Sequence, residues 1–369
     1  MKKIKSLKSE NGDFDFIIKW RMTNSCNAHC SYCIRAKYTQ QPEDLEEENK
    51  KLEKVATKLN LLIESLPQTR IKIDAVGGEV TILDLKKIFS KIPSKKLKRV
   101  SITTNLKRNA EYYIELSKFI PLSMTASFHA EIQNLQTYIA KIKRIKEEGK
   151  LHYLNCETVS TTQNAELVNS FIKQCEALDV FYMVEPDRRK ENDSERKSFN
   201  YIAKSNKPRN VRYTVVFSDG TEKKYYVRSD FLAEFNCHYC CYGRFVPTKD
   251  LYCSCGYDYL YIKIDKAVGR KEGFAGCDNG MEIEEFKPLP KPAKCISDMC
   301  SLCGTMSLTD DDNTVEKNSE YDFDIQKKQD LSNLTQCKAD FTINQNQPLT
   351  EKEKEDFMKM ILSLPKQTQ

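Results

Sequence analysis

The chain has 369 residues, 40% hydrophobic and 30% charged, with a net charge of +6. That gives room for one large domain or two to three smaller ones, in an ordinary soluble composition, and the charge is too mild to argue by itself for a nucleic-acid partner. No run is long or apolar enough to span a membrane, and Lys2, Lys3, Lys5 and Lys8 lead into no apolar h-region, so no signal peptide is expected.

Fifteen cysteines without a secretion signal point to a reducing, cytoplasmic setting, where metal sites are expected before disulfides. They fall in two clusters, 26–33 and 237–303. Cys156, Cys175 and Cys337 lie apart and read as plain thiols.

The first cluster is Cys26, Cys30 and Cys33, a C-x3-C-x2-C spacing in a polar loop just after an apolar stretch at 14–18. Three thiolates this close can grip one iron–sulfur cubane and leave one iron without a protein ligand, as a catalytic zinc keeps one position open. The spacing is unusual for zinc, whose ligands more often come as two C-x2-4-C pairs; a zinc loop or scattered core cysteines is the alternative. Tyr32 directly precedes the third cysteine, and His29 reads as a loop residue.

Residues 41–51 are highly charged. Apolar residues at 52, 55, 59, 62, 63 and 66 then predict a helix, ended by Pro67. A strand at 71–76 stops at Gly77-Gly78-Glu79. A helix is expected at 84–90, a strand at 98–103 ending in Thr104-Asn105, a helix at 111–119, and a strand at 122–128 that runs through Ser127 to His129 and Glu131. A helix at 135–148 with Gly149 as C-cap, a strand at 152–160, a helix at 165–178 and a strand at 180–185 complete the series. Strand and helix alternating through six strands predict an α/β fold with parallel strands and crossover helices. The pattern suggests an open barrel, but by itself does not separate a barrel from a flat sheet.

Residues 186–210 form a charged linker, with Arg188 and Arg189 at its start. Asp219-Gly220 between apolar runs is a hairpin signal. Residues 309–322 are acidic and polar, and 351–364 carry one helical pattern without an assigned place.

The cysteine loop, followed one βα unit later by Gly77-Gly78-Glu79, resembles the radical S-adenosylmethionine (SAM) superfamily. The resemblance implies a partial (β/α)6 radical SAM barrel over 14–189. It implies a [4Fe-4S] cluster on Cys26, Cys30 and Cys33, with SAM chelated at the open iron. Gly77, Gly78 and Glu79 would bind the methionyl amino group, and Asn105 and Ser127 the ribose and carboxylate, with Tyr32 beside the cofactor. Ser and Asn at strand ends are also common helix caps, and a lone Gly-Gly-Glu is most often a turn. Thr104 shares the role of Asn105, His129 and Glu131 face either cofactor or substrate, and Arg35 and Lys37 are solvated or near SAM. Glu157, Glu185, Arg188 and Arg189 read as solvated rim residues. A low-potential electron donor of flavodoxin or ferredoxin type is implied as a partner.

The second cluster holds Cys237, Cys240, Cys241, Cys253, Cys255, Cys277, Cys295, Cys300 and Cys303. A hairpin turning at Lys249-Asp250 would bring Cys240 or Cys241 near Cys253 or Cys255. Cys300 and Cys303, a C-x2-C with Cys295 before it, could complete a four-thiolate site. This resembles the SPASM and twitch auxiliary-cluster extensions of radical SAM enzymes, without the full SPASM pattern. The resemblance implies a C-terminal cysteine-rich α+β extension with one auxiliary [4Fe-4S] cluster; a structural zinc satisfies the same ligands.

The expected organisation is an N-terminal arm at 1–13, the barrel at 14–189, linker and hairpin at 190–235, an auxiliary metal-binding region at 236–305, and an acidic linker with helical tail at 306–369. The resemblance implies a radical SAM oxidoreductase that abstracts hydrogen from a peptide or protein side chain, giving an oxidation or crosslink. No leader-recognition domain is expected in residues 1–13, so a leader would use a separate partner or the 190–235 region. The alternatives are a small-molecule substrate such as a carbohydrate or nucleoside, and a non-catalytic, zinc-stabilised binding protein.

Overall fold

The computed structural model describes residues 4–9, 14–33, 45–161, 163–187, 213–217, 220–225, 246–247, 252–253, 255–270, 277–291, 293–294, 299–300 and 308–309. Strand β1 (Ile4–Ser9) stands outside the main sheet. The main sheet begins with β2 (Phe16–Thr23), where Phe16, Ile18, Trp20 and Met22 are all fully buried. The chain then alternates: α1 (Leu45–Ser65), β3 (Ile71–Gly77), α2 (Leu85–Phe89), β4 (Leu97–Thr104), α3 (Ala110–Phe119), β5 (Leu122–Phe128), α4 (Leu135–Glu148), β6 (Tyr153–Ser160), α5 (Ala165–Ala177) and β7 (Phe181–Pro186).

Strands β2 to β7 lie side by side in sequence order and every pair is parallel. Right-handed crossovers along such an order put all the helices on one face. The burial pattern agrees. Phe16, Ile18 and Trp20 of β2, Ile71 and Ile73 of β3, Val100 and Ile102 of β4, and Leu122, Met124 and Phe128 of β5 join one core with apolar residues of the helices. The alternate residues on each strand face away from those helices, since strand side chains alternate. This is the open, partial (β/α)6 arrangement.

The expected strands and helices form at the expected places, with three differences. Helix α1 starts at Leu45, so the charged segment 45–51 is its first two turns. Its apolar stripe begins only at Leu52, while Glu46, Glu47 and Glu48 in the first turn complement the positive end of the helix dipole. Second, Gly149 caps α4 at φ −84°, not in the left-handed region. A Cβ there would come within 2.6 Å of the Ile145 carbonyl oxygen, so close approach is what the glycine supplies. Third, the sheet extends beyond β2.

That extension comes from the cysteine-rich part of the chain. Strand β12 (Tyr259–Lys263) pairs parallel with β2, Tyr259 opposite Ile17 and Tyr261 opposite Lys19. Strands β13 (Lys266–Arg270) and β14 (Cys277–Met281) add antiparallel beyond it, making nine strands in all among the described residues. The turn between β12 and β13 is held from β2: the Trp20 indole donates to the Ile264 carbonyl at 2.9 Å, and the Ile264 amide donates to the Arg21 carbonyl at 2.7 Å. Ile264 sits at φ 61°, a strained choice for a β-branched residue that these two bonds hold in place.

Elsewhere, β1 pairs antiparallel with β8 (Tyr213–Phe217), which forms the expected hairpin with β9 (Glu222–Tyr225) around Gly220 at φ 80°. Short strands β10 (Val246–Pro247), β11 (Tyr252–Cys253), β15 (Ala293–Lys294), β16 (Met299–Cys300) and β17 (Leu308–Thr309) form two small sheets. No described helix is long and apolar enough to cross a membrane.

Candidate functional site

In an open parallel sheet, ligands bind beyond the carboxyl ends of the strands. The cysteine loop leaves that end of β2, and the Gly77-Gly78-Glu79 turn leaves that end of β3. The two are docked by backbone. The Gly78 amide donates to the Thr23 carbonyl at 3.0 Å, and the Glu79 amide to the Ser25 carbonyl at 2.8 Å. Both glycines are required by contact: a Cβ on Gly77 would lie 2.4 Å from the Thr23 carbonyl oxygen, and one on Gly78 2.1 Å from that of Ser25. The glycines therefore admit the cysteine loop.

Glu79 is 2% exposed. One carboxylate oxygen accepts from the Thr81 amide at 3.0 Å and the Thr81 hydroxyl at 2.6 Å; the other accepts from the Asn105 amide at 2.5 Å. Burial raises its pKa above the ordinary carboxylate value, against those hydrogen bonds, which favour the charged form.

Asn105 joins three segments. Its amide bonds Glu79, its side-chain NH2 donates to the Asn27 side chain in the cysteine loop at 2.8 Å, and its carbonyl accepts from the Gln133 side chain. Leu106 follows at φ 55°, a left-handed backbone that costs a bulky residue about 1–3 kcal/mol and that marks many ligand sites. Lys107 donates from its ammonium to the Asn27 carbonyl. Thr104, by contrast, turns inward: it is 1% exposed, lies 3.1 Å from the Tyr113 hydroxyl and accepts from the Leu106 amide.

The three thiols are free. Cys30 is buried with Ala28 and Tyr32, and Cys26, Cys33 and Val159 pack against that patch. The Ala28 amide donates to the Cys26 sulfur at 3.4 Å. Burial raises the Cys26 pKa, with Glu79 and Cys33 adding and the Ala28 amide and Lys107 opposing. Burial pushes the Cys30 thiol up to about 11, with Tyr32 opposing. A metal would have to displace those protons. Among the described residues no three His, Cys, Asp or Glu side chains converge on one ion-sized point. Thiolates on separate corners of a cubane stand wider apart than ligands of one tetrahedral ion, and three free thiols on one loop are the donor set such a cluster takes.

The end of β5 clasps the loop from the other side. His129 Nδ1 lies 3.3 Å from the Cys30 sulfur and 2.9 Å from the Tyr32 hydroxyl, with the two rings stacked at 6.0 Å. Burial lowers the His129 pKa to about 4, so the imidazole is neutral at pH 7. Glu131 accepts from the Ser31 amide at 2.8 Å and from the Ser31 hydroxyl. Gln133 accepts from the His129 amide at 2.6 Å. Ser127 donates to Glu157 at 2.6 Å. Asn27, Thr81, Lys107 and Gln133 were not singled out by sequence; proximity to motif residues is the signal that marks the first three, while Gln133 has none.

Cys26, Cys30, Cys33, Tyr32, Gly77, Gly78, Glu79, Asn105 and Ser127 thus all stand at one edge. The second set is not assembled within the described residues. Cys240, Cys241, Cys295 and Cys303, with Arg35, Lys37, Arg188 and Arg189, lie outside them. Cys253 stands opposite Ala293 in one small sheet and Cys300 opposite Val246 in the other. Cys255 is a buried free thiol in the turn before β12.

No family model matches the chain, and no curated protein does. Among solved structures it is similar to native anSMEcpe with bound AdoMet and Cp18Cys peptide, at 18% identity over 46% of this chain and 50% of that one, TM-score 0.35. It is similar to coproporphyrinogen III oxidase (HemN) from Escherichia coli, described as a radical SAM enzyme, at 14% identity over 47% and 44%, TM-score 0.37. It is similar to archaeal TYW1 at 12% identity over 39% and 58%, TM-score 0.26. The chain spans about half the length of each. In this chain the three-cysteine loop is docked on a glycine turn at the carboxyl edge of six parallel strands.

Proposed function

We propose that this chain is a radical SAM enzyme that abstracts a hydrogen atom from its substrate. The observation that supports this most directly is the docking of the cysteine loop onto Gly77 and Gly78, which brings three free thiols and the buried Glu79 carboxylate to one strand edge. A [4Fe-4S] cluster with SAM, given one electron by a low-potential donor, would supply a 5′-deoxyadenosyl radical. Cys26, Cys30 and Cys33 would hold the cluster. Glu79 has lone-pair capacity left to accept from an ammonium group, while Thr81 and Asn105 fix its orientation. Ser127 with Glu157, and Asn105 with Asn27, offer hydroxyl-binding groups along the same rim. Tyr32 and Ala28 are buried with Cys30, and Cys26, Cys33 and Val159 pack against them.

Anaerobic reconstitution with iron and sulfide, then assay for 5′-deoxyadenosine from SAM under a strong reductant, tests this. Product is expected. None from a fully iron-loaded wild type would overturn it.

The cysteine-rich region supports a second metal site, read as an auxiliary [4Fe-4S] cluster, with oxidation or crosslinking of a peptide as the outcome. Iron content that falls in a Cys300→Ala/Cys303→Ala variant is expected; unchanged iron with lost zinc would make the site structural. A small-molecule substrate is the second reading, favoured by the charged face of the sheet described next.

A further inference from the structure

The sheet face opposite the helices is unusually polar. On β2 the residues that alternate with Phe16, Ile18, Trp20 and Met22 include Lys19 and Arg21; on β3 they include Lys72 and Asp74; on β4, Arg99. The register makes a continuous rung: Lys19 stands opposite Asp74, Asp74 opposite Ser101, and Ser101 opposite Ser123. Lys72 stands opposite Arg99 and bridges Asp74 at 2.9 Å. Four cations thus share this face with one carboxylate on the same three strands. Along β4 the face opens gradually to solvent, from half-buried Arg99 and Ser101 to exposed Thr103.

Among the described residues, Arg99 Nε, Ser123 Oγ and Asn155 Oδ1 on this face are buried without a hydrogen-bond partner, the Arg99 guanidinium carbon lying 4.9 Å from the centre of the Phe14 ring. Ser123 and Asn155 are only 4% and 5% exposed. Each alternates with core residues that face the helices, Leu122 and Met124 on one strand and Cys156 on the next. A polar atom orphaned at such burial is costly, which marks it to receive a ligand group or a water. The three demand different things. Arg99 needs an acceptor. Ser123 and Asn155 can take hydroxyl groups.

The location suits a substrate. Val159, four residues beyond Asn155 on β6, packs against the Cys30 patch. At about 3.3 Å per residue, Asn155 lies roughly 13 Å below the cysteine loop.

Resting on the radical SAM reading, we propose that this face binds a small hydroxyl-bearing substrate carrying an anionic group. Arg99 receives the anion, and Ser123 and Asn155 receive hydroxyls. The anion is a carboxylate or a phosphate, which a guanidinium binds alike.

Isothermal titration of the full-length chain with glycerate and with glycerol 3-phosphate, at low ionic strength, tests the proposal. Saturable binding of one or both in the millimolar range is expected, and the tighter probe identifies the anion. Arg99→Met should weaken binding about tenfold or more, Arg99→Lys should restore most of it, and Asn155→Leu should weaken these probes more than plain phosphate or acetate. Thermal melting of each variant controls for folding. No saturable binding of either probe, or equal binding by folded Arg99→Met, overturns the proposal. The 5′-deoxyadenosine assay on the same preparation separates the two failures. Product without anion binding removes only this inference; anion binding without product removes the radical reading and leaves the polar floor.

Discussion

The Glu79 amide donates to the Ser25 carbonyl at 2.8 Å, one residue before the first cysteine of the loop. The turn after β3 and the loop after β2 are therefore a single unit, and the glycines between them are contact residues. Loss of the turn should be read out at the loop.

Gly78→Ala is the sharpest probe. Its Cβ would lie 2.1 Å from the Ser25 carbonyl oxygen, a backbone atom that cannot swing away. Overpacking of this kind costs about 1–3 kcal/mol. The expected result is a lower denaturation midpoint together with a large loss of iron after reconstitution. Wild-type iron content in this variant would mean that the loop finds its place without the turn.

Replacing Cys26, Cys30 and Cys33 with Ser should abolish iron–sulfide absorbance from the loop and 5′-deoxyadenosine formation. The fold should survive, because the core from β2 to β7 and its helices is an apolar cluster separate from the one around Cys30. Far-UV circular dichroism close to wild type is the control. Collapse of the metal-free variant would instead make the loop part of the folding core.

Much of this was legible in the sequence, for a local reason. A βα unit writes its own signal: Ile71 and Ile73 alternate, Leu52, Val55 and Leu59 recur at helical steps, and Asp84, Asn109 and Asn134 mark helix starts as caps. What failed was non-local. The run at 259–263, Tyr-Leu-Tyr-Ile-Lys, is strand-like, but nothing near it says that it pairs with Phe16–Thr23, more than two hundred residues earlier. Its neighbouring cysteines point to a metal site and say nothing of that pairing. The charged face was visible in part, since Lys19, Arg21, Lys72 and Asp74 interrupt apolar strands at every second residue. Which face is bare of helices follows only from the topology. The clasp of His129 and Glu131 on the loop depends on β5 lying three strands from β2, which no spacing reveals.

Asn27 and Asn105 lie 78 residues apart and share a hydrogen bond of 2.8 Å between their side chains. Ala at either position should cost about 1 kcal/mol, and the double variant about as much as one single. Denaturant midpoints of the four proteins check this. Fully additive losses would show that the amide pair carries no coupling.

Glu79→Gln separates holding the loop from binding a cofactor. The substitution keeps the side-chain shape, and its carbonyl oxygen can still accept from Thr81. The new NH2 then faces the Asn105 amide, donor against donor, where the carboxylate accepted at 2.5 Å. A lost buried bond of this kind costs about 1–3 kcal/mol. The Glu79 amide still bonds Ser25, so iron content should change little. The negative charge is gone, so an ammonium group loses its partner and the Kd for SAM should rise at least about tenfold, as a charge-assisted bond of about 1.5–3 kcal/mol implies. The pH dependence carries the same signature. Burial raises the Glu79 pKa, so protonation on acidification begins above the usual glutamate range. A protonated carboxyl is neutral, and wild-type SAM binding should therefore weaken as pH falls through that raised value. The Gln variant has no carboxyl to titrate and should show no such limb. Equal SAM affinity in the two proteins, with the same acid limb, would leave Glu79 as a cap that merely ties Thr81 to Asn105.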